Sequence, residues 1–376
     1  MYYPNQFCRM SHQKEYHLNP HALELMQQYK DRLPVFKRME DLAYNTLQQA
    51  LSQQGLYVTS IEHRIKQENS LAGKLELKGN KYDSLSDITD ILGMRIITFY
   101  TDDVDKVAAI VQQIFNIDWD ESVDKRKRHE LTSFGYNSLH YICRLPKSLI
   151  DDASMPELNE YRFEIQMRTA LQHVWSTIEH DIGYKGEVKM PSEYRRQFSR
   201  LSGTLELIDD EFSRLRTTMT DYRRKVQALV NSGQLDEVTL DGDSFRSYLT
   251  LKPFERLNQH IAAVNQAEIY PAPLQVFLPV LEHFELNTLG DVQRFIDANK
   301  DDAYQYALTD LAVTDLDILS ESIGLQSLCI VHALKNGNGR NDIKYLFDTI
   351  NGESENNWSI ADLIVEQAAT LQFMNK

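Results

Sequence analysis

One short segment of the chain alternates strictly between polar and apolar side chains. Glu164, Gln166 and Arg168 are separated by Ile165 and Met167. Successive side chains of a β-strand point to opposite faces, so the three polar groups would share one face of a sheet. Burying three polar groups on an internal strand is costly unless they line a site. The segment therefore predicts a strand with one core face and one functional face.

Helix-like and strand-like segments surround this strand. The first predicted helix covers 20–54, where Pro34 interrupts it and a second helix follows from 35 to 52. Further helices are predicted at 85–92, 102–115 and 169–182. The predicted strands are 57–65, 94–99, 137–144 and 161–167. This mixed order favours an α+β fold, with a mixed β-sheet flanked by helices. Residues 191–230 and 244–376 show only helix-like patterns, so a C-terminal all-α domain is expected.

The distribution of charged residues also divides the chain into an N-terminal and a C-terminal part. Residues 226–376 hold 9 basic and 22 acidic residues, whereas residues 1–225 are close to neutral within a total net charge of −15. The first part can therefore bind anions, and the second repels them. We predict two domains, 1–230 and 231–376, with the acidic helical one of unassigned role. It could restrain the first domain until a partner binds it.

Several classes of protein are disfavoured by the sequence. No apolar run approaches the roughly 20 residues of a membrane span. The N-terminus is polar and lacks the apolar region of a secretion signal. Cys8, Cys143 and Cys329 are far apart, which favours neither disulfides nor a zinc cage. We expect a cytoplasmic protein.

A cluster of cations and one hydroxyl lies within eleven residues. Arg64, Lys66, Ser70 and Lys74 occupy a strand end and the start of a predicted helix. On a strand, Arg64 and Lys66 would share a face, and on a helix Ser70 and Lys74 lie one turn apart. Such a cluster can hold several phosphates at once. A solvated basic loop is the simpler alternative.

Two further segments contain candidate binding residues. Asp90 precedes a Gly93 break at the start of a strand, where a carboxylate can hold Mg²⁺, and Arg95 can lie flat against a base. Tyr136 follows a glycine at the start of another strand and could stack on a base. The structural alternatives are that Asp90 is a cap, that Arg95 is a surface residue, and that Tyr136 belongs to an ordinary hairpin edge. The basic run 125–128 could contact phosphate or RNA.

These motifs together resemble the synthetase domain of the RelA/SpoT family of alarmone synthetases. The run from about 40 to 190 contains Arg-x-Lys-x3-Ser-x3-Lys, then DILGMR, GYNSLH and EIQMRT, in the order found in that family. The continuation QHVWSTIEHDIGYK looks like the single-domain small synthetases. The resemblance implies a nucleotidyltransferase-like domain that transfers pyrophosphate from ATP to the 3′-hydroxyl of GDP or GTP and releases AMP.

The resemblance also implies roles for individual residues, with Mg²⁺ as the cofactor. Asp90 and Glu164 would hold Mg²⁺, and Glu164 would also be a candidate general base. The ATP residues would be Arg64 and Arg95 around the adenine, with Lys66, Ser70 and Lys74 on the phosphates. Tyr136 would stack on the guanine, and His140, Gln166, Arg168 and His173 would line the site.

Some features leave alternatives open. The family's Pro-Lys-x-Asn segment is absent before GYNSLH, so the choice among GMP, GDP and GTP is not fixed. A toxic relative that pyrophosphorylates the 3′ end of tRNA, or a synthetase of adenine-based alarmones, is the alternative enzyme. A degenerate fold acting as a nucleotide sensor is the non-enzymatic alternative. The apolar positions Leu205, Leu207, Ile208, Phe212 and Leu215 are typical of either core packing or a subunit contact, and the second alternative is a homo-oligomer through helices around 195–225.

Overall fold

The computed structural model describes residues 16–78, 81–127, 138–150, 155–183, 192–311, 316–336 and 338–375. The chain divides into two compact units between Arg216 and Thr217. This division falls inside a long helix, and the predicted boundary at 230/231 stays a prediction. Among the described residues, no helix has both the length and the apolar character needed to cross a membrane.

The first unit is built on a five-stranded mixed sheet. Its strands are β1 (Ser60–Ile65), β2 (Leu92–Thr98), β3 (Asn116–Asp124), β4 (Leu139–Arg144) and β5 (Phe163–Thr169), and its helices are α1 (Pro20–Gln53), α2 (Glu68–Lys78), α3 (Thr101–Ile114) and α4 (Ala170–Gly183). The strand order is β1-β2-β5-β4-β3, and only the central β2–β5 pair is parallel. The expected mixed sheet flanked by helices is confirmed.

One face of this sheet is apolar. Met94, Ile96, Ile165 and Met167 are fully buried, and they belong to one core with apolar residues of α1 and α3. The alternation of β2 and β5 places their polar residues on the opposite face. The sheet therefore presents a row of polar side chains that neither α1 nor α3 covers.

Two sequence predictions in this unit were wrong, and one strand was missed. Pro34 does not interrupt the first helix, because α1 runs continuously through it and buried residues such as Phe36 and Met39 hold it on the sheet. The predicted helix at 85–92 is a single 3₁₀ turn, Leu85–Asp87, after which β2 begins. The polar edge strand β3 was not among the predicted strands.

The second unit is helical and has its own core. It contains the end of α5 (Ser192–Asn231), followed by α6 (Gly242–Leu249), α7 (Glu255–Ala262), α8 (Leu278–His283), α9 (Leu289–Leu311), α10 (Ile323–Lys335), α11 (Gly339–Asn351) and α12 (Asn356–Ala368). A parallel pair of three-residue strands, β6 (Glu268–Tyr270) and β7 (Ile318–Ser320), adds to the helices. Val238 and Leu240 are buried in this core, so the segment after α5 is part of the unit and not a linker.

Candidate active site

The polar face of the sheet is assembled from four adjacent strands. Glu62 of β1 pairs with Arg95 of β2, and Arg95 pairs with Gln166 of β5. Gln166 in turn pairs with His140 of β4. Residues paired across strands point to the same face. These four side chains therefore form one continuous polar row.

A second row lies one step along the strands. Arg64 pairs with Gly93, and Gly93 pairs with Glu164. The pairing places Arg64 and Glu164 on either side of a residue that has no side chain. Among the described residues, no heavy atom outside Gly93 and its two chain neighbours lies within 4 Å of a Cβ built on Gly93, so the space above it is open to them. The second row therefore forms the floor of a cleft.

The cation cluster surrounds Asp90. Lys66 follows β1 and places its Nζ atom 3.0 Å from one carboxylate oxygen of Asp90, and Lys74 of α2 places its Nζ atom 2.6 Å from the other. Burial opposes ionisation of Asp90, but the hydrogen bond and charge of Lys74, with those of Lys66, outweigh it and lower the pKa of Asp90. Ser70 is exposed on α2, one turn before Lys74. Two members of the predicted cluster, Lys66 and Lys74, therefore converge on one carboxylate.

Glu164 is held by neighbouring side chains. The Nδ1–H group of His140 donates to its Oε1 atom at 2.7 Å, and the Nε2 atom of Gln166 donates to its Oε2 atom at 2.9 Å. The other ring nitrogen of His140, Nε2, lies 2.7 Å from the Ser138 hydroxyl, which also holds the ring in place. Burial opposes the charge on Glu164, but the bonds from His140 and Gln166 outweigh it and lower its pKa. Glu164 is therefore an ionised carboxylate with a fixed orientation.

Two arginines share one acceptor beside this carboxylate. The Nε atom of Arg95 lies 3.4 Å from Oε1 of Gln166, and Nη2 of Arg168 donates to the same oxygen. Glu62 lies 3.6 Å from Nη1 of Arg95 and 3.8 Å from Nε2 of His173. Gln166 thus connects both arginines to Glu164.

Two clefts open on this polar face. The first, of about 390 Å³, is lined by residues that include Arg64, Lys66, Asp90, Arg95 and Glu164. The second, of about 300 Å³, is lined by Lys125, Ser138, His140, Arg168, Gln172, Ser176 and Glu179. Arg95 and Gln166 line both clefts. The arrangement can hold two ligands side by side, with their contact near Gln166 and Glu164.

The structure brings together most of the residues that the sequence singled out. Tyr136 lies outside the described residues. Sequence reasoning missed Glu62 and Glu179, and it gave Lys125 only as part of the basic run 125–128 that could contact phosphate or RNA. Glu62 could have been found, because it precedes Arg64 by two residues on a strand and must share its face. Lys125 and Glu179 are exposed and depend on the tertiary fold for their position.

The carboxylates of the first cleft fit a hard divalent cation. Asp90 and Glu164 both line this cleft, both are held ionised, and each interacts electrostatically with the other. Among the described residues there is no cluster of three or more His, Cys, Asp or Glu side chains that could hold a metal alone. A hard divalent cation could instead bind the two carboxylates and complete its coordination with oxygens from phosphates and water.

Comparisons with known proteins point to one family. The model described as "Region found in RelA / SpoT proteins" matches residues 63–189. The GTP pyrophosphokinase YwaC of Bacillus subtilis is 28% identical over 198 residues, which cover 50% of this chain and 90% of YwaC. The GTP pyrophosphokinase YjbM of the same organism is 26% identical over 155 residues, covering 41% of this chain and 69% of YjbM.

Solved structures include proteins of the same group. The crystal structure of small alarmone synthetase 1 from Bacillus subtilis aligns with a TM-score of 0.43 at 21% identity, covering 52% of this chain and 99% of that chain. The matched region 63–189 contains β2, β5 and nearly all the residues that line the two clefts. Through this region, the chain is similar to proteins of the RelA/SpoT family.

Proposed function

We propose that the protein is a (p)ppGpp synthetase that transfers pyrophosphate from ATP to the 3′-hydroxyl of GDP or GTP. The observation that carries this proposal is the pair of adjoining clefts that share Arg95 and Gln166. Two substrates must lie side by side for a direct group transfer. YjbM and YwaC are both named GTP pyrophosphokinase, which supports the same reaction.

In this proposal ATP occupies the first cleft. Arg64 and Arg95 lie on the two sides of the adenine, and Lys66, Ser70 and Lys74 bind the phosphates. Lys66 and Lys74 are well placed to bind phosphates, because their ammonium groups already converge on Asp90 in the cleft. Ionic contacts with phosphate are charge-assisted and therefore strong.

Asp90 and Glu164 would hold Mg²⁺, which supplies charge neutralisation for the phosphates when it is bound. The chain's own residues align the reactants. The acceptor 3′-oxygen forms a bond to the β-phosphorus of ATP, the bond from that phosphorus to the α,β-bridging oxygen breaks, and AMP leaves with that oxygen. Glu164 is placed to accept the hydroxyl proton, and the hydrogen bonds from His140 and Gln166 orient it. His140, Gln166, Arg168 and His173 lie around the acceptor side.

The test uses purified protein, Mg²⁺ and γ-labelled ATP with GMP, GDP, GTP, ADP or bulk tRNA in separate reactions. We expect label on a guanine nucleotide, and a loss of at least about 100-fold in Asp90→Asn, because a metal ion contributes several kcal/mol. Asp83→Asn, on an exposed carboxylate, is the matched control. Label on ADP or tRNA alone would replace the proposed acceptor, and no transfer to any acceptor would refute the proposal.

We further propose that the protein forms homo-oligomers through α5. Leu201, Leu205, Ile208, Phe212 and Leu215 recur at alternating spacings of four and three, which is the spacing of a coiled-coil seam. Four of them are exposed, between 38% and 58%, and Leu205 is partly buried. A continuous apolar face of this kind on a long helix is a typical contact surface.

The polar side of α5 explains why its apolar side is exposed. Asp209 accepts a hydrogen bond from the Thr169 hydroxyl, and the Ser213 hydroxyl lies 2.8 Å from that of Thr101. The helix is thus attached to the sheet unit through polar side chains. Leu201, Ile208, Phe212 and Leu215 remain exposed, and the same seam of a second copy is the partner that fits a heptad pattern.

A further inference from the structure

The strand β5 passes directly into the helix α4. β5 ends at Thr169 and α4 begins at Ala170, so no loop residue separates them. The pairing of β4 with β5 extends only to Met167, whereas the pairing of β2 with β5 continues to Thr169. In the described part of the chain, the end of β5 therefore has a neighbouring strand on one side only. The direction in which α4 leaves the sheet depends on the contacts made at this junction.

Thr169 and Gln172 cap the first turn of α4. The Thr169 hydroxyl accepts a hydrogen bond from the backbone N–H of Gln172 at 3.1 Å. In return, the side-chain oxygen of Gln172 accepts one from the backbone N–H of Thr169 at 3.0 Å. This reciprocal arrangement is a capping box, which provides acceptors for N–H groups that have no partner within the helix. Gln172 also lines the second cleft, so the cap connects the start of α4 to the site.

A buried carboxylate of α5 completes this cap. Asp209 is 1% exposed, and it accepts a hydrogen bond from the Thr169 hydroxyl. A hydroxyl has a single hydrogen, so donating it to Asp209 leaves the oxygen lone pairs for the N–H of Gln172. Thr169 is itself fully buried, so neither partner can exchange this bond for one with water. Asp209 therefore fixes the orientation of the Thr169 side chain and, through it, the start of α4.

Two further contacts hold α5 in the sheet unit. Trp175 of α4 packs against Phe198 of α5, with ring centroids 4.2 Å apart. One turn after Asp209, the Ser213 hydroxyl lies 2.8 Å from the hydroxyl of Thr101, the first residue of α3. α5 follows the region that matches the RelA/SpoT model. The support for the junction thus comes from a part of the chain outside that region.

We propose that Asp209 is a positioning residue for the acceptor side of the reaction and acts through Thr169 on the direction of α4. The inference rests on the proposed function, because that function gives the second cleft to the acceptor. Arg168 directly precedes Thr169, and Gln172 and Ser176 lie on the first two turns of α4. All three line the second cleft, so a change in the direction of α4 displaces them relative to one another.

The first cleft should be less sensitive to this junction. Glu164 and Gln166 are the residues of β5 that line it, and both are paired with β2 on one side and β4 on the other. Their positions are therefore fixed by the sheet and not by the capping box. Loss of the Asp209 contact should impair use of the acceptor while binding of ATP is retained.

The test removes each end of the Thr169–Asp209 hydrogen bond. Asp209→Ala and Thr169→Val are assayed singly and together with ATP, Mg²⁺ and GDP. We expect each single variant to lower kcat/KM for GDP by about 10-fold or more, because misplacement by about 1 Å can slow a reaction about 100-fold. The KM for ATP should change by less than about threefold. A purely structural loss of folded enzyme would instead lower kcat and leave both KM values unchanged.

The double variant tests whether Asp209 acts through Thr169. Two residues that share one interaction are not additive, so the double variant should lose less than about threefold beyond Thr169→Val alone. Asp209→Asn keeps an oxygen that can accept the Thr169 proton, and it should recover most of the activity that Asp209→Ala loses. Additive losses, or no recovery in Asp209→Asn, would contradict the proposal.

Ser213→Ala is the matched control on the same helix. It removes a polar contact of α5 with α3 and leaves the capping box intact, so the KM for GDP should stay within about twofold of wild type. Urea denaturation and circular dichroism verify that each variant is folded. If Ser213→Ala and Asp209→Ala change the KM for GDP equally, the effect belongs to α5 as a whole, and Asp209 is not a positioning residue.

Hydrogen exchange of the full chain gives a readout that does not depend on turnover. Asp209→Ala should speed exchange of the backbone amides in 169–173, and Ser213→Ala should not. Unchanged exchange in Asp209→Ala would overturn the inference, whatever reaction the enzyme performs. If wild type transfers pyrophosphate to no acceptor, the proposed function fails, and the exchange result alone then decides whether Asp209 fixes the junction.

Discussion

The carboxylate of Asp90 is the centre of the charged cluster in the first cleft. Each of its oxygens contacts a different ammonium group, from Lys66 and from Lys74. Burial also holds the pKa of Lys74 down, but the hydrogen bond to Asp90 reverses this and raises it. One carboxylate therefore holds two ammonium groups close together in a partly buried cleft. A triphosphate that enters can take over these cations and leave Asp90 to a metal ion.

The lowered pKa of Asp90 predicts how stability depends on pH. A carboxylate with a depressed folded-state pKa stabilises the fold above its unfolded pKa of about 3.9, and this stability is lost as the pH falls through the folded value. Wild type should therefore exceed Asp90→Asn in free energy of unfolding at pH 7, and the difference should shrink below about pH 4. Urea denaturation at both values measures it. A difference that grows on acidification would contradict the ion-pair account.

At the residue scale, the sequence predicted which side chains share a face of the sheet, but it did not predict which residues they contact. Alternation placed Glu164, Gln166 and Arg168 together, because side-chain direction on a strand is a local property. The contact of Lys66 with Asp90 joins residues 24 positions apart, and it depends on how β1 meets β2. No local pattern specifies that contact, so the sequence alone predicted a phosphate cluster and a metal carboxylate as separate features.

The elements of the first unit show why strong patterns are predictable and weak ones are not. The helix α3 and the strands β2 and β5 carry clear apolar periodicity, and the structure has them close to the predicted bounds. β3 has the sequence NIDWDESVD, which is rich in acidic residues. It pairs with β4 alone, at the edge of the sheet, where charged residues are common because they oppose further strand pairing.

The continuous helix α1 gives a prediction at the scale of an element. Pro34 is exposed in its interior, where proline removes one backbone hydrogen bond and costs about 3 kcal/mol relative to alanine. Proline also restricts the unfolded chain, which offsets up to about 1 kcal/mol. We therefore expect Pro34→Ala to stabilise the protein by about 2 kcal/mol, measured as a rise in the urea midpoint.

A matched change separates backbone from packing effects in α1. Gln27→Ala alters an exposed position of the same helix without restoring a backbone bond, so it should change stability by less than about 0.5 kcal/mol. If Pro34→Ala has no larger effect than Gln27→Ala, or destabilises the protein, then packing on the sheet has already compensated for the proline.

At the scale of the whole molecule, α5 contains residues of both units. Its residues up to Arg216 belong to the sheet unit, and Val226 and Val230 lie in the core of the helical unit. The apolar periodicity of α5 was visible in the sequence, but the sequence could not show which positions would be buried within the chain. The structure buries the last of them in the second core and leaves Leu201 to Leu215 largely exposed.

This exposed seam leads to a prediction about assembly. A charge on a coiled-coil seam must be desolvated, whereas burying one large apolar side chain contributes about 1.5–3 kcal/mol. In a symmetric pair each substitution acts in both copies. We therefore expect Phe212→Glu to weaken self-association at least about 100-fold and to shift the protein to a smaller species in light scattering coupled to size exclusion.

The matched control places the same charge elsewhere on the helix. Thr217 is exposed and lies away from the seam, since it follows Leu215 by two residues, about 200° around the helix. Thr217→Glu should leave the assembly unchanged. If wild type is monomeric at micromolar concentration, or if Thr217→Glu and Phe212→Glu behave alike, the seam is not a self-association surface. Activity measured across the same concentration range then tests whether assembly affects synthesis.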